Sequence, residues 1–131
     1  MLSALARAGV KKIRIIDFDR ITLSSLNRHA FATRNNVGIS KVECCINYCK
    51  SIFPHIEIEA IEEALSFKNL ERLLGDNPSY VIDCIDNIDS KTDLVEYCVK
   101  NNIKIIAACG AGMKADPTRL QIKDIADSTC K

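Results

Sequence analysis

Residues that could bind a nucleoside triphosphate lie between Ile13 and Lys41. An apolar run ends at Asp17 and Asp19. Arg28 follows in a polar connection, and Lys41 stands where a helix is predicted to begin. A carboxylate at a strand end can accept hydrogen bonds from ribose hydroxyls, and the rigid donors of an arginine suit phosphate oxygens. A lysine in a first helical turn is disfavoured by the helix dipole, so its presence there indicates a nearby anion.

Two further polar groups follow later strands. Asp86 and Asn87 come after one apolar run, and Gly110 and Gly112 come after another. The Asp86 carboxylate could hold a hard cation such as Mg²⁺ that keeps several waters. The glycines let backbone approach a ligand closely.

Each of these residues also has a structural interpretation that the sequence leaves open. Asp17 could be a solvated or helix-capping carboxylate, and Arg28 a surface arginine. Asp86 and Asn87 are typical of turns, and the glycines could simply make a tight turn. His29 and His55 have no metal-ligand spacing and no evident partner.

Helical and strand patterns alternate along the chain, which predicts an α/β fold with a mostly parallel sheet. The predicted helices are residues 1–9 (the end of a helix, stopped by Gly9), 26–31 (capped by Ser24 or Ser25), 41–53 (a Ser40–Glu43 capping box), 66–74 and 90–100 (opened by Ser90). The predicted strands are residues 13–17, 56–61, 80–85 and 103–109, while 120–125 fits either type. Ligands bind beyond the carboxyl ends of parallel strands, so the polar groups are expected to share one cleft.

Composition narrows the function classes. A length of 131 residues predicts one domain. A net charge of +1 provides no global field to attract nucleic acid or an anionic membrane. The seven cysteines include no C-x-x-C pair, so the sequence predicts reduced core thiols in an intracellular protein. No secretory signal pattern and no apolar run of membrane-spanning length is present.

The motifs together resemble the ThiF-like adenylating family, which includes the ubiquitin-activating enzymes and bacterial enzymes that charge sulfur-carrier proteins. The residues that carry the resemblance are Asp17-Phe18-Asp19, Arg28, Val37-Gly38 with Lys41, and Asp83-Cys84-Ile85-Asp86-Asn87. Within that family the chain is most similar to the eukaryotic branch of the tRNA threonylcarbamoyladenosine dehydratases. The distinguishing stretches are Ser24–His29, Asp83–Asp89 and Gly110-Ala111-Gly112 leading to Asp116-Pro117-Thr118.

The resemblance implies a Rossmann-like three-layer domain and ATP-dependent adenylation of the carboxylate of N6-threonylcarbamoyladenosine in tRNA, followed by cyclisation. It implies ATP and Mg²⁺ as cofactors. Catalysis is assigned to Arg28, Lys41 and Asp86, with Asp86 as the magnesium ligand. Nucleotide binding is assigned to Asp17, Asp19, Arg28, Lys41, Asp86 and Asn87.

The resemblance also carries expectations about partners and completeness. It implies tRNA bound through a local patch or another segment, a homodimer, no DNA, and no membrane contact within these residues. The location is expected to be cytoplasmic or mitochondria-associated. The family places a strand and a Gly-rich turn before the helix that ends at Gly9, so residues 1–131 are interpreted as one incomplete adenylation domain that alone binds ATP poorly. Ser25 stands where many relatives carry asparagine.

Three alternatives remain. An enzyme that activates a ubiquitin-like or sulfur-carrier protein would need a downstream catalytic cysteine and usually a C-x-x-C zinc pair. A non-catalytic partner subunit would keep the fold without needing Lys41 and Asp86. A nicotinamide dehydrogenase could use Asp17 but would leave Arg28, Lys41 and Asp86 without a role.

Overall fold

Helices and strands alternate in the structure, as the hydrophobic patterns predict. The computed structural model describes residues 1–109, 116, 118 and 121–127. The α-helices are α1 (Leu2–Arg7), α2 (Lys41–Ile52), α3 (Leu70–Leu74) and α4 (Ile88–Lys100), and the strands are β1 (Lys12–Ile16), β2 (Glu57–Ile61), β3 (Val81–Asp83) and β4 (Ile105–Ala107). Short 3-10 helices cover Leu23–Asn27, Arg34–Asn36, Phe67–Asn69 and Ile125–Asp127.

The chain divides into two compact units, Met1–Leu73 and Leu74–Lys131. Among the described residues, each unit contains one pair of parallel strands, β1 with β2 and β3 with β4. Parallel pairing requires a crossover between the strands, and helices α2 and α4 supply it in the two units. The parallel α/β arrangement is thus confirmed within each unit, whereas a single domain over residues 1–131 stays a prediction.

In the first unit, α1 and α2 pack beside the β1–β2 pair. The buried centre consists of Ala6, Cys49 and Ile56, and partly buried apolar side chains surround it: Leu2, Ile13, Tyr48, Phe53 and Ile58. The alternating acids of β2 lie on the wetter face, where Glu59 accepts from Arg14 Nε at 2.7 Å. These two residues are register partners, so the ion pair follows directly from the strand pairing.

Gly9 ends α1, as the sequence predicts. Its φ is +87°, a conformation that glycine adopts without a Cβ penalty. The Val10 N–H donates to the Leu5 carbonyl and the Gly9 N–H to the Ala6 carbonyl, both at 3.2 Å. These two bonds form a Schellman motif, which satisfies the last carbonyls of the helix and turns the chain into β1.

In the second unit, α4 packs on β3 and β4. Leu94 and Cys98 are the buried residues of the helix. Strand β3 begins at Val81, which is also buried and pairs with Ile105. The strand ends at Asp83, earlier than the predicted end at residue 85, so Asp86 and Asn87 lie in the connection to α4 rather than directly at the strand end.

The predicted start of the helix at residue 90 is wrong. Helix α4 begins at Ile88, and Asn87 is its N-cap. The Asn87 side-chain oxygen accepts from the Ser90 N–H at 2.9 Å, so one of the free amides of the first turn is already satisfied. The Ser90 side chain therefore has no capping role.

Exchanging Asn87 for alanine is expected to lower the free energy of unfolding by about 1 kcal/mol, because the Ser90 amide loses its acceptor. The matched control is Ser90→Ala, which keeps that amide bond and should change stability by less than about 0.5 kcal/mol. Urea denaturation of the intact protein measures both. Equal losses in the two variants would contradict the assignment of the cap.

One other helix start and one predicted cap also differ from prediction. In place of a helix over residues 26–31, a 3-10 helix covers Leu23–Asn27, and Thr22 precedes it. Helix α2 begins at Lys41 as predicted, but Ser40 makes no capping hydrogen bond. The Ser40 backbone instead forms an antiparallel bridge with Arg20, which leaves the predicted capping box unformed.

Some expectations fall outside the described residues or are only partly met. The predicted helix at 66–74 opens as a 3-10 turn, Phe67–Asn69, before α3. Residues 121–124 form neither helix nor strand, and residue 120 lies outside the described part. Gly110 and Gly112 also lie outside it. Within the described residues, no helix is both long and apolar enough to cross a membrane.

Candidate functional site

A short antiparallel contact brings Lys41 beside the end of β1. The Ile21 N–H donates to the Ile39 carbonyl and the Gly38 N–H to the Ile21 carbonyl, both at 2.8 Å. Gly38 has a φ of +91°, which suits a tight return of the chain. The Lys41 N–H then donates to the Asp19 carbonyl at 2.9 Å, so the first residue of α2 is tied to the segment that follows β1.

Lys41, Asp17 and Asp19 form a charged cluster at this end of β1. The Lys41 Nζ lies 2.5 Å from Asp19 Oδ2 and 4.0 Å from Asp17 Oδ2. Asp17 Oδ1 also accepts from the Asp19 N–H at 2.9 Å, which holds the two acids in one turn. The lysine side chain is only 14% exposed, while those of Asp17 and Asp19 are 37% and 50% exposed. The anions near Lys41 are therefore the protein's own carboxylates, which offset the unfavourable helix dipole.

Arg28 is turned back onto its own 3-10 helix. Its Nη1 donates to the Ser24 carbonyl at 2.6 Å and to Asn27 Oδ1 at 3.2 Å. The residue is exposed, and in the described part of the chain it forms no ion pair. It borders a shallow cavity of about 270 Å³ lined by residues 26–30. The structure thus does not bring the Arg28 guanidinium into contact with Asp17 or Lys41, and a phosphate-binding role requires the side chain to rotate.

His29 is a site residue that the sequence did not assign to the cluster. Partial burial lowers the pKa of its imidazole below 6.5, and the charges of Lys41 and Arg28 lower it further, against the opposing effect of Asp17 and Asp19. All four charged residues of the cluster region therefore act on His29. The only feature of the sequence that could have pointed to His29 is its position next to Arg28.

The lowered pKa of His29 predicts a pH dependence of stability. A base with a lower pKa in the folded state binds fewer protons when folded, so stability is fully present above pH 6.5 and falls as the pH drops toward the folded-state pKa. His29→Gln removes this titration. Between about pH 7.5 and about pH 5, the melting temperature of the variant is therefore expected to fall less than that of the natural protein. Thermal denaturation followed by circular dichroism measures the difference. Identical pH profiles would contradict it.

Two serines next to the cluster differ in their contacts. Ser25 is 1% exposed, and its Oγ accepts from the Thr22 N–H at 3.1 Å. This bond fixes the start of the 3-10 helix that directly precedes Arg28. Ser40 is 4% exposed, and among the described residues its Oγ has no hydrogen-bond partner.

The cysteines of α2 are core thiols. Cys44, Cys45 and Cys49 are buried and free. Burial raises the pKa of the Cys45 thiol to about 12, with a smaller contribution from Cys49. A thiol that stays protonated at neutral pH is a poor nucleophile, since the thiolate is the reactive form. Cys45 therefore contributes packing rather than chemistry, although it lies close to the charged cluster.

The acid that ends β3, Asp83, and the acid in the connection to α4, Asp86, have different environments. The Asp83 side chain is fully buried and forms an ion pair of 2.5 Å with Lys91 Nζ. Its Oδ1 accepts from the Ile85 N–H at 2.8 Å. Asp86 is exposed, and within the described residues its carboxylate makes no hydrogen bond or ion pair. Of the two, Asp86 is the carboxylate available to a ligand, while the side-chain oxygen of Asn87 is occupied by the helix cap.

The Asp86 carboxylate could serve as one protein ligand of a magnesium ion. In the described part of the chain, no three histidine, cysteine or acidic side chains converge as a metal site. Mg²⁺ commonly takes one or two carboxylates and completes its shell with waters and substrate phosphates. An exposed carboxylate without protein partners, such as that of Asp86, fits this requirement.

Comparisons with known proteins place these residues in context. The model of the ThiF family matches residues 1–130. The chain is 47% identical over 128 residues to tRNA threonylcarbamoyladenosine dehydratase 2 of Saccharomyces cerevisiae, covering 96% of this chain and 29% of the relative. It is 35% identical over 123 residues to the Escherichia coli tRNA threonylcarbamoyladenosine dehydratase, covering 94% and 46%. The chain therefore spans less than half the length of these relatives.

A solved structure agrees with the sequence similarity. The E. coli tRNA N6-threonylcarbamoyladenosine dehydratase in complex with ATP superimposes with a TM-score of 0.93 at 34% identity. The match covers 97% of this chain and 52% of that one. The Rossmann-like α/β fold predicted from the sequence is confirmed by this similarity.

Proposed function

The chain belongs to the ThiF family, and on that premise we propose that it serves the ATP-dependent adenylation of a carboxylate, that of N6-threonylcarbamoyladenosine in tRNA. The activated carboxylate then cyclises. The observation that carries this proposal is the 47% identity to a dehydratase of this name across 96% of the chain. The Lys41 cluster and the free Asp86 carboxylate are consistent with it.

Binding of the nucleotide begins at the end of β1. The Asp17 carboxylate is 37% exposed and can accept hydrogen bonds from ribose hydroxyls. The Asp19 carboxylate holds the Lys41 ammonium beside this position. A bound triphosphate competes with Asp19 for that ammonium. The Lys41 side chain can move from Asp19 to a phosphate without a large change in the backbone. Arg28 can join it by leaving the Ser24 carbonyl.

The reaction requires stabilisation of charge at the α-phosphate. A carboxylate oxygen of the substrate attacks that phosphorus, and the bond to the β-phosphate oxygen breaks to release pyrophosphate. Lys41 and Arg28 place positive charge where negative charge develops in the transition state. A nucleophile within the substrate then attacks the activated carbonyl carbon and expels AMP, which closes the ring.

Asp86 is proposed to hold the magnesium ion. Bound Mg²⁺ would neutralise phosphate charge during the first step. The Asp86 side chain is suited to this because Asp83, the other acid of the segment, is already paired with Lys91. Asn87 is proposed to help through its side-chain N–H group, since its side-chain oxygen caps α4.

The proposed partners follow from this substrate. A net charge of +1 provides little long-range attraction for tRNA, so binding requires a local basic patch or further protein surface. We propose a homodimer without DNA binding, located where tRNA is modified, in the cytoplasm or in association with mitochondria. Size-exclusion chromatography with light scattering tests the dimer.

The experiment that tests the function compares substrates. The intact protein is assayed for ATP–pyrophosphate exchange with three additions: threonylcarbamoylated tRNA, the same tRNA without the modification, and a carrier protein with a free C-terminal glycine. Exchange with the modified tRNA alone is expected, because the unmodified tRNA lacks the carboxylate and the glycine carboxylate of the carrier protein is not the proposed substrate. Exchange with the carrier protein alone would favour an enzyme that activates ubiquitin-like or sulfur-carrier proteins. No exchange with any addition would favour a non-catalytic subunit.

A further inference from the structure

The side chain of Lys91 ties three parts of the second unit together. Its Nζ lies 2.5 Å from Asp83 Oδ2 and donates to the Ala108 carbonyl at 3.1 Å. Asp83 is the last residue of β3, and Ala108 directly follows β4. Since Lys91 belongs to α4, one ammonium group connects the carboxyl ends of both strands to the helix that follows the first of them.

This arrangement is costly as a purely stabilising contact. The Asp83 side chain is 0% exposed and that of Lys91 only 20% exposed. Removing both charges from water often costs as much free energy as their mutual attraction provides. A pair of apolar side chains would therefore stabilise the fold equally well. Lys91 also stands near the start of α4, where the helix dipole disfavours a cation. The Asp83–Lys91 ion pair is therefore explained better by the backbone geometry that it holds than by a contribution to the stability of the fold.

The geometry concerns the segment between Asp83 and α4. Asp83 uses its second oxygen, Oδ1, to accept from the Ile85 N–H at 2.8 Å. At the other end, Asn87 Oδ1 accepts from the Ser90 N–H at 2.9 Å. Asp86 lies between these two anchored points and, among the described residues, its exposed carboxylate makes no hydrogen bond or ion pair. Its position depends on the anchors.

We infer that Lys91 is a positioning residue for Asp86. By holding Asp83 Oδ2, it fixes the plane of the carboxylate whose Oδ1 turns the backbone at Ile85, and this turn sets the direction of the Asp86 side chain. The part of the inference that concerns magnesium rests on the proposed function. The part that concerns the backbone of residues 84–87 does not.

The test uses the intact protein with a neutral pair, Asp83→Asn combined with Lys91→Met. This double variant leaves no buried unpaired charge, and the asparagine oxygen can still accept from Ile85. Lys91→Arg keeps the positive charge and serves as the conservative variant. Lys100→Met is the matched control, because Lys100 lies on the same helix and pairs with Glu96 at the surface.

Two measurements are made on each variant. The first is the Mg²⁺ concentration that gives half-maximal ATP–pyrophosphate exchange. The double variant is expected to need roughly 10- to 100-fold more Mg²⁺, as is usual when a residue that orients a metal ligand is removed. Its rate at saturating Mg²⁺ should stay near that of the natural protein. Lys91→Arg should restore most of the Mg²⁺ affinity, and Lys100→Met should not change it.

The second measurement is hydrogen–deuterium exchange of the peptide that contains residues 84–90. Faster exchange in the double variant alone is expected, and it needs neither ATP nor activity. A folded double variant with unchanged exchange in this peptide and unchanged Mg²⁺ dependence would overturn the inference. If the natural protein shows no adenylation, the proposed function fails, and hydrogen exchange alone still decides whether Lys91 holds the segment.

Discussion

Lys41→Met is expected to lower the rate of ATP–pyrophosphate exchange by roughly 100- to 1,000-fold, the loss typical when one charge-stabilising group is removed from a transition state. The lysine is suited to this role because it is 14% exposed and is held 2.5 Å from Asp19 at the end of β1. Methionine keeps most of the length of the side chain but removes the charge. The exchange assay with modified tRNA, run on the intact protein, measures the loss.

Stability distinguishes this loss from unfolding. The partners of Lys41, Asp17 and Asp19, are themselves 37% and 50% exposed. Loss of an ion pair with such partners typically costs less than about 1 kcal/mol. The variant is therefore expected to stay folded. Lys50→Met, an exposed position on the same helix, is the matched control and should keep full exchange activity. Full activity in Lys41→Met would remove the lysine from the mechanism.

Asp86→Asn is expected to abolish most of the Mg²⁺-dependent exchange, with a loss of roughly 100-fold or more, since asparagine has the shape of the side chain but not the charge that binds Mg²⁺. The fold should not change, because the Asp86 carboxylate is exposed and makes no hydrogen bond or ion pair within the described structure. Melting temperature and exchange rate across a range of Mg²⁺ concentrations measure the two effects separately.

Asp89→Asn provides the matched control for Asp86. Asp89 is also exposed and lies in the first turn of α4, only three residues away. It has no assigned role with the nucleotide, so its substitution should leave the Mg²⁺ dependence unchanged. Undiminished activity of Asp86→Asn would support the alternative of a non-catalytic partner subunit that keeps the fold.

The local pattern of apolar and polar residues was sufficient to predict most of the helices and strands. The β-branched run before Asp17, the apolar positions of α2 and the glycine at position 9 each carry a signal that acts over a few residues. Helix and strand periods and a left-handed C-terminal glycine depend on the local backbone, so they are visible without the tertiary fold. The family was also evident from the sequence, because its motifs keep residue types at set spacings.

Capping was predicted poorly, for a physical reason. Ser40 and Ser90 both match a capping pattern, yet neither serine caps a helix. The Ser40 backbone is engaged in the bridge with Arg20. Helix α4 begins two residues before Ser90, and Asn87 is the residue that caps it, so Ser90 already lies inside the first turn. Several polar residues near a helix start can satisfy the same N–H group, and the path of the incoming chain decides between them.

The sequence by itself determined the α/β class, the family and the set of charged residues that are proposed to bind the nucleotide and its metal ion. The tertiary structure alone decided how those charges pair: Lys41 with Asp19, across 22 positions of sequence, and Lys91 with the buried Asp83 rather than with the exposed Asp86. These pairings depend on where the backbone returns after each strand and on which carboxylate is buried away from solvent. Both are non-local properties, since they arise only when distant segments pack together.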